Sequence, residues 1–129
     1  MMKIHHIGYV VKKIDKAIDK FHQLGYSGET ITRDEYRGID ICFMENDGYR
    51  IELVSPYRAD STVSGLLKRT KNAPYHICYI SSDIEKDMAN LAQNGYMQIS
   101  ELHEAPAIDG KRVIFMNNAS IGMIELVEE

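Results

Sequence analysis

Tryptophan is absent from this sequence, cysteine occurs twice and proline three times in 129 residues. Cys42 and Cys78 lie outside any Cys-x-x-Cys or zinc-ribbon spacing, so a thiolate metal site is not expected and the two read as buried thiols. No apolar run approaches the roughly 20 residues of a membrane-spanning helix. The start, Met1-Met2-Lys3-Ile4-His5-His6, lacks the apolar stretch of a signal peptide. Positive charge is not in excess either: 15 Lys and Arg stand against 19 Asp and Glu, a net charge of −4. The cations are scattered except for Lys68, Arg69 and Lys71, which speaks against nucleic acid or an anionic membrane as a partner. Low-complexity segments are missing too. These absences leave a soluble cytoplasmic protein as the expectation.

What the chain does have is an internal repeat. At an offset of 70, His6-Ile7-Gly8-Tyr9-Val10 lies over His76-Ile77-Cys78-Tyr79-Ile80, and eight positions between 6 and 26 are identical: His6, Ile7, Tyr9, Ile14, Lys16, Gln23, Gly25 and Tyr26. At an offset of 73, Ile51-Glu52-Leu53-Val54 returns as Ile124-Glu125-Leu126-Val127. Shared amphipathicity does not produce that many identities, so the chain reads as a duplicated module. With 44% hydrophobic residues it can build one modest core but not two independent ones. The boundaries are module one over 1–56, a linker over 57–73 and module two over 74–129, together a single domain.

Each module reads as βαβββ. Ile4 to Val11 alternates as a strand, with Ile7, Tyr9 and Val11 on one face and His6, Gly8 and Val10 on the other. Ile14, Ala17, Ile18, Phe21 and Leu24 form a helical stripe closed by Gly25. Strands follow over 28–34 and 38–45, and Asn46-Asp47-Gly48 supplies a hairpin turn into the glutamate strand. Beyond Pro56, Ser61 is the expected N-cap of a short linker helix with Val63, Leu66 and Leu67, broken by Asn72-Ala73-Pro74. In module two, Tyr75 to Ser81 is the first strand, Ser82 and Glu85 read as a capping box, and Ile84, Met88, Leu91 and Ala92 as the helix stripe. Strands near 97–103, 111–117 and 121–127 complete it. The fold class is therefore α+β: an eight-stranded, open, cup-shaped sheet with the helices outside.

In an alternating strand Glu52 and Glu125 face away from their apolar neighbours, and a carboxylate so placed needs a partner such as a metal. His6 and His76 are equivalent across the repeat, as are Glu52 and Glu125. Two imidazoles and two carboxylates suit one divalent ion of the Zn, Ni, Co, Mn or Fe type, and six-coordination would leave two positions for water or a chelating substrate. Parity and the offset favour His6 over its neighbour His5. His22 and His103 have no repeat partner and read as surface residues.

The paired βαβββ modules and the His/Glu/His/Glu set resemble the vicinal oxygen chelate superfamily, which includes glyoxalase I, methylmalonyl-CoA epimerases, ring-cleaving dioxygenases and bleomycin-resistance proteins. Within it His5-His6-Ile7-Gly8, Ile51-Glu52-Leu53-Val54-Ser55-Pro56, Asp60-Ser61-Thr62-Val63-Ser64-Gly65-Leu66-Leu67-Lys68 and Gly110-Lys111-Arg112-Val113-Ile114-Phe115 are most similar to methylmalonyl-CoA epimerases. The resemblance implies a metal-dependent isomerase or lyase, active on an α-carbonyl thioester or hemithioacetal and built as a homodimer. It implies that the metal stabilises an enolate while Glu125, displaced by substrate, serves as a base. Where epimerases carry a Glu-x-Gly base segment, this chain reads Tyr36-Arg37-Gly38, which shifts the carboxylate to Glu35. Asn117-Asn118-Ala119-Ser120 stands in place of a His-Pro-Lys loop, and Val10 replaces the glutathione-binding arginine of glyoxalase I. A lactoylglutathione lyase is the alternative activity, and a bleomycin-resistance type of small-molecule binder the alternative of another class. Lys68, Arg69 and Lys71 read as a solvated run, with the phosphates of a CoA carrier as the second reading.

Overall fold

The computed structural model describes residues 1–129. It is a mixed α+β protein with three helices and nine strands rather than eight. Two compact units are separable. The first is His6–Tyr75, and the second joins Met1–His5 to His76–Glu129. The linker segment 57–73 thus belongs to the first unit, and the opening residues to the second.

β1 (Lys3–Val10), which belongs to the first unit from His6 onward, leads into α1 (Ile14–Gln23), then β2 (Ile31–Asp34), β3 (Ile39–Asn46) and β4 (Tyr49–Pro56). The strand order is β2-β3-β4-β1. β1 and β4 are parallel, with Gly8 opposite Glu52 and Val10 opposite Val54, while β3 and β4 form an antiparallel hairpin. Its two-residue turn places Asp47 and Gly48 at φ 53° and 80°, the positive pair a type I′ turn requires. The stripe of α1 buries Ile14 and Ile18 against Cys42, Met44, Ile51 and Leu53, with Tyr9, Ala17, Phe21 and Tyr26 at the margin. Leu24, expected in that stripe, is exposed because the helix has already ended and Leu24 is its C-cap. A short helix α2 (Ser64–Thr70) follows. Its N-cap is Val63, not Ser61. The Ser61 hydroxyl accepts from the Val63 amide at 3.2 Å and shares a 2.9 Å hydrogen bond with the Ser64 hydroxyl, so it stabilises the turn ahead of the helix.

The second unit repeats the plan with β5 (Ala73–Ser81), α3 (Ile84–Ala92), β6 (Met97–Gln98), β7 (His103–Ala105), a 3-10 turn at Pro106–Ile108, β8 (Lys111–Asn118) and β9 (Gly122–Glu128). Its strand order is β5-β9-β8-β6, with β7 also on β8. Ile84 packs on Ile114, Met116, Ile124 and Leu126, the counterpart of the α1 core. The cap of α3 is Asp83, whose carboxylate accepts from the Lys86 amide at 3.2 Å; Ser82, the expected cap, stands one residue earlier. The expected strand over 97–103 is divided into β6 and β7. Here the Ser100 hydroxyl accepts from the Phe115 amide at 2.9 Å, so a side chain supplies the acceptor that a strand carbonyl supplies elsewhere. No helix is long and apolar enough to cross a membrane.

Candidate metal centre

Within the first unit His6 and Glu52 are 1% and 5% exposed. His6 lies on β1 and Glu52 on the adjacent β4, two positions out of register, with Gly8 opposite Glu52. That glycine puts no side chain beside the carboxylate. His6 Nε2 stands 3.3 Å from Glu52 Oε1. Phe43, directly across β3 from Glu52, meets the His6 ring edge-on at 5.3 Å.

The second unit builds the same arrangement. His76 on β5 and Glu125 on β9 are 4% and 3% exposed, and His76 Nε2 stands 3.0 Å from Glu125 Oε1. Phe115, across β8 from Glu125, meets the His76 ring at 5.1 Å and 90°. Cys78 occupies the position that Gly8 holds in the first unit, opposite Glu125. The two phenylalanines were not singled out from sequence. Their signal was present, since Phe43 and Phe115 recur at an offset of 72 on the strand paired to each glutamate strand.

The donor set of each pair fits one edge of a metal site. Two ligands each about 2.1 Å from one ion stand about 3.0 Å apart at a right angle and about 3.4 Å apart at a tetrahedral angle. The observed 3.0 and 3.3 Å lie in that interval. Imidazole nitrogen and carboxylate oxygen are ligands for borderline or hard divalent ions. The edge-on phenylalanines fix each imidazole plane and keep apolar matter beside the carboxylates. His5 is only half-buried on β1. His22 is exposed and its Nε2 lies 2.8 Å from the Gly28 carbonyl; His103 is also outside both pairs, with Nδ1 3.1 Å from the Glu104 carbonyl.

A family model for the Glyoxalase/Bleomycin resistance protein/Dioxygenase superfamily matches residues 5–115. The chain belongs to that superfamily. Among its relatives, the mitochondrial methylmalonyl-CoA epimerase of Bos taurus is 28% identical over 129 residues, covering 98% of this chain and 72% of that one. A methylmalonyl-CoA epimerase from Mycobacterium tuberculosis has the same fold, with a TM-score of 0.83 at 23% identity over 97% of this chain and 86% of that one. So does a Streptomyces coelicolor methylmalonyl-CoA epimerase variant in complex with 2-nitronate-propionyl-CoA, at a TM-score of 0.86 and 21% identity, covering 100% and 95%.

Glu35 sits exposed in the turn between β2 and β3. The buried carboxylate of that turn is its neighbour Asp34, 1% exposed, which accepts from the Arg37 guanidinium at 2.7 Å and the Arg37 amide at 3.1 Å. Sequence reading missed this pair, although an acid and an arginine three residues apart around a turn are a recognisable signal. The turn is tied down further, since Tyr57 N donates to the Gly38 carbonyl and Thr62 N to the Arg37 carbonyl. Gly38 has φ 72°, and a Cβ there would meet the Ser61 backbone at 3.0 Å.

Proposed function

We propose that this protein is an epimerase-type enzyme that removes the proton next to the carbonyl of an acyl thioester, using one divalent ion held by His6, Glu52, His76 and Glu125. The observation that carries this reading is the duplication of one buried pair. His6–Glu52 and His76–Glu125 match in ligand atoms, burial and aromatic neighbour, and chance burial of polar side chains has no reason to follow the repeat. The bound ion would supply Lewis-acid stabilisation of negative charge on the carbonyl oxygen, a contribution of several kcal/mol.

The chain's own residues have separate tasks. His6 and His76 present Nε2, and the rings are held by Phe43 and Phe115. The Glu125 carboxylate accepts the α-proton on one face of the carbon. Glu35 returns a proton on the other. Asp34 is committed to Arg37, whereas Glu35 makes no hydrogen bond and keeps its freedom to swing from the turn. The sequence similarity to methylmalonyl-CoA epimerases supports epimerisation over a lyase. The protein is a soluble homodimer in this reading.

The test is solvent exchange. Metal-loaded protein in D₂O is expected to introduce deuterium at the α-carbon of methylmalonyl-CoA and to equalise its two epimers. Glu35→Gln should retain exchange and lose epimerisation. If neither methylmalonyl-CoA nor the methylglyoxal–glutathione adduct exchanges at full metal occupancy, a small-molecule binding role replaces the enzymatic one.

A further inference from the structure

The turn that carries Glu35 has an exposed tip on buried feet. Glu35 and Tyr36 are exposed, while Asp34, Arg37 and Gly38 are buried. The Gly38 amide donates to the Asp34 carbonyl at 2.9 Å, and Asp34 pairs with Ile39 as the last rung of β2 and β3. On the inner side the Asp34 carboxylate takes both the guanidinium and the amide of Arg37, with the two side chains 1% and 10% exposed. One rung back, Arg33 donates to both oxygens of Asp40, at 2.9 and 3.1 Å, and lays its guanidinium 3.9 Å above the Tyr57 ring. The segment after β4 completes the mount. Tyr57 N and Thr62 N donate to the carbonyls of Gly38 and Arg37, and Ser61 approaches Gly38 so closely at φ 72° that a side chain there would collide with it.

The second unit shows that a hairpin of this kind closes without a buried ion pair. Its equivalent turn joins β7 to β8, with Ala105 opposite Lys111 at the last rung. The buried feet there are apolar, Ala105 and Ile108. Gly110, in the place of Gly38, has φ 75° and nothing within 4 Å of an added Cβ. The ion pair and the packed segment are thus additions to the first unit and not requirements of the hairpin. Burying two charges costs solvation that their attraction seldom exceeds, so the pair adds little net stability; what it supplies is one enforced geometry.

We infer that Asp34 and Arg37 are positioning residues: they lock this turn onto the segment after β4 and so fix the backbone from which Glu35 reaches the substrate's α-carbon. The inference rests on the role given to Glu35 above and adds the device that aims it. A carboxylate on a loose turn is out of reach for much of the time, and misplacing a reacting group by about 1 Å lowers a rate by roughly a hundredfold. Arg37 joins the two sides of the mount, since its guanidinium engages Asp34 and its carbonyl engages Thr62. In this role neither Asp34 nor Arg37 has to touch the substrate.

Removing one partner alone strands the other charge in the interior and threatens the fold. The test therefore uses the double variant Asp34→Asn/Arg37→Met, which removes both charges, keeps an acceptor for the amide at position 37 and should unfold at about the parent's temperature. By NMR, the amides of Gly38, Tyr57 and Thr62 should exchange with solvent faster by roughly tenfold or more, and those of Leu53 and Val54 at the parent's rate. In metal-loaded protein the ratio of epimerisation to α-deuterium exchange of methylmalonyl-CoA should fall by roughly tenfold or more, through kcat and with KM unchanged. Arg37→Lys, which retains a cation able to donate to Asp34, should restore most of both. A pair with a purely structural role would lower the unfolding temperature and leave the ratio where it is; that result overturns the inference, as do unchanged amide exchange rates in the turn. The role of Glu35 is tested apart from it. If Glu35→Gln loses epimerisation and the double variant does not, the positioning role alone falls. If both variants epimerise as the parent does, the assignment of Glu35 falls and takes the positioning role with it.

Discussion

The two halves are the same where they hold the His–Glu pair and different almost everywhere along their rims. At matching positions both have a buried histidine, a buried glutamate 3.0–3.3 Å away and an edge-on phenylalanine. One rung along, the pairing diverges. Met97–Asn117 and Gln98–Met116 pair as β6 with β8, whereas the equivalent Ser27–Glu45 survives only as an isolated bridge. Gly28, the counterpart of Gln98, has φ 121°, and a Cβ there would collide with the Phe43 carbonyl. The first helix and the two residues ahead of it differ in charge from their counterparts: Lys12, Lys13 and Lys20 correspond to Ser82, Asp83 and Asn90. Both halves keep a histidine, a glutamate and a phenylalanine at matching positions, while the residues leading into and along their helices differ in charge.

The largest effects are expected at the two histidines of the His–Glu pairs. His6→Ala and His76→Ala are each expected to weaken metal binding by roughly a hundredfold or more, above the 10–100-fold typical of outer-sphere partners. Elemental analysis after dialysis reads this. Full metal in one variant and none in the other would break the equivalence of the halves, and retention in His76→Ala with loss in His5→Ala would overturn the ligand assignment.

The cores come next. Leu53 and Leu126 are both fully buried, and alanine at either site should cost about 3–4 kcal/mol in urea unfolding. A loss of stability confined to one of them would show that the units contribute unequally. Gly28→Ala, which strains the backbone and collides with Phe43, should cost about 2–3 kcal/mol. Gly48→Ala has φ 80° but open space around the added Cβ, so only about 1 kcal/mol is expected. Equal costs at the two glycines would mean that the close approach to Phe43 is not what separates the halves.

The smallest effect belongs to an ion-pair cluster found only in the second half. Arg112 donates to Glu128 and to Glu85, and its guanidinium and amide hold the Glu128 carboxyl below its ordinary value. The stability this contributes is present above the unfolded carboxyl value and is lost as pH falls through the depressed folded one. Glu128→Gln should therefore lower stability slightly near neutrality and flatten the acid limb, so that variant and parent converge at low pH. These groups are solvent-screened, so an acid limb identical to the parent's would place the contribution of the pair at zero.

The sequence alone determined the duplication, the helix stripes, the Asp47-Gly48 hairpin and the choice of His6, Glu52, His76 and Glu125 as ligand candidates. All of these follow from short periods and from a fixed offset, which are properties of order along the chain. Tertiary structure decided what depends on partners distant in sequence. Ser100 divides a strand because its hydroxyl reaches the amide of Phe115. Asp34, not Glu35, is the buried acid of its turn because Arg37 folds back on it and the segment after β4 covers both. Lys12 and Lys71, 59 residues apart, border one cavity because the Asn72 side chain bonds the Lys12 backbone. Periodicity tells which face of an element is apolar; it carries no information about which polar atom will stand within hydrogen-bonding reach of another once the elements have packed.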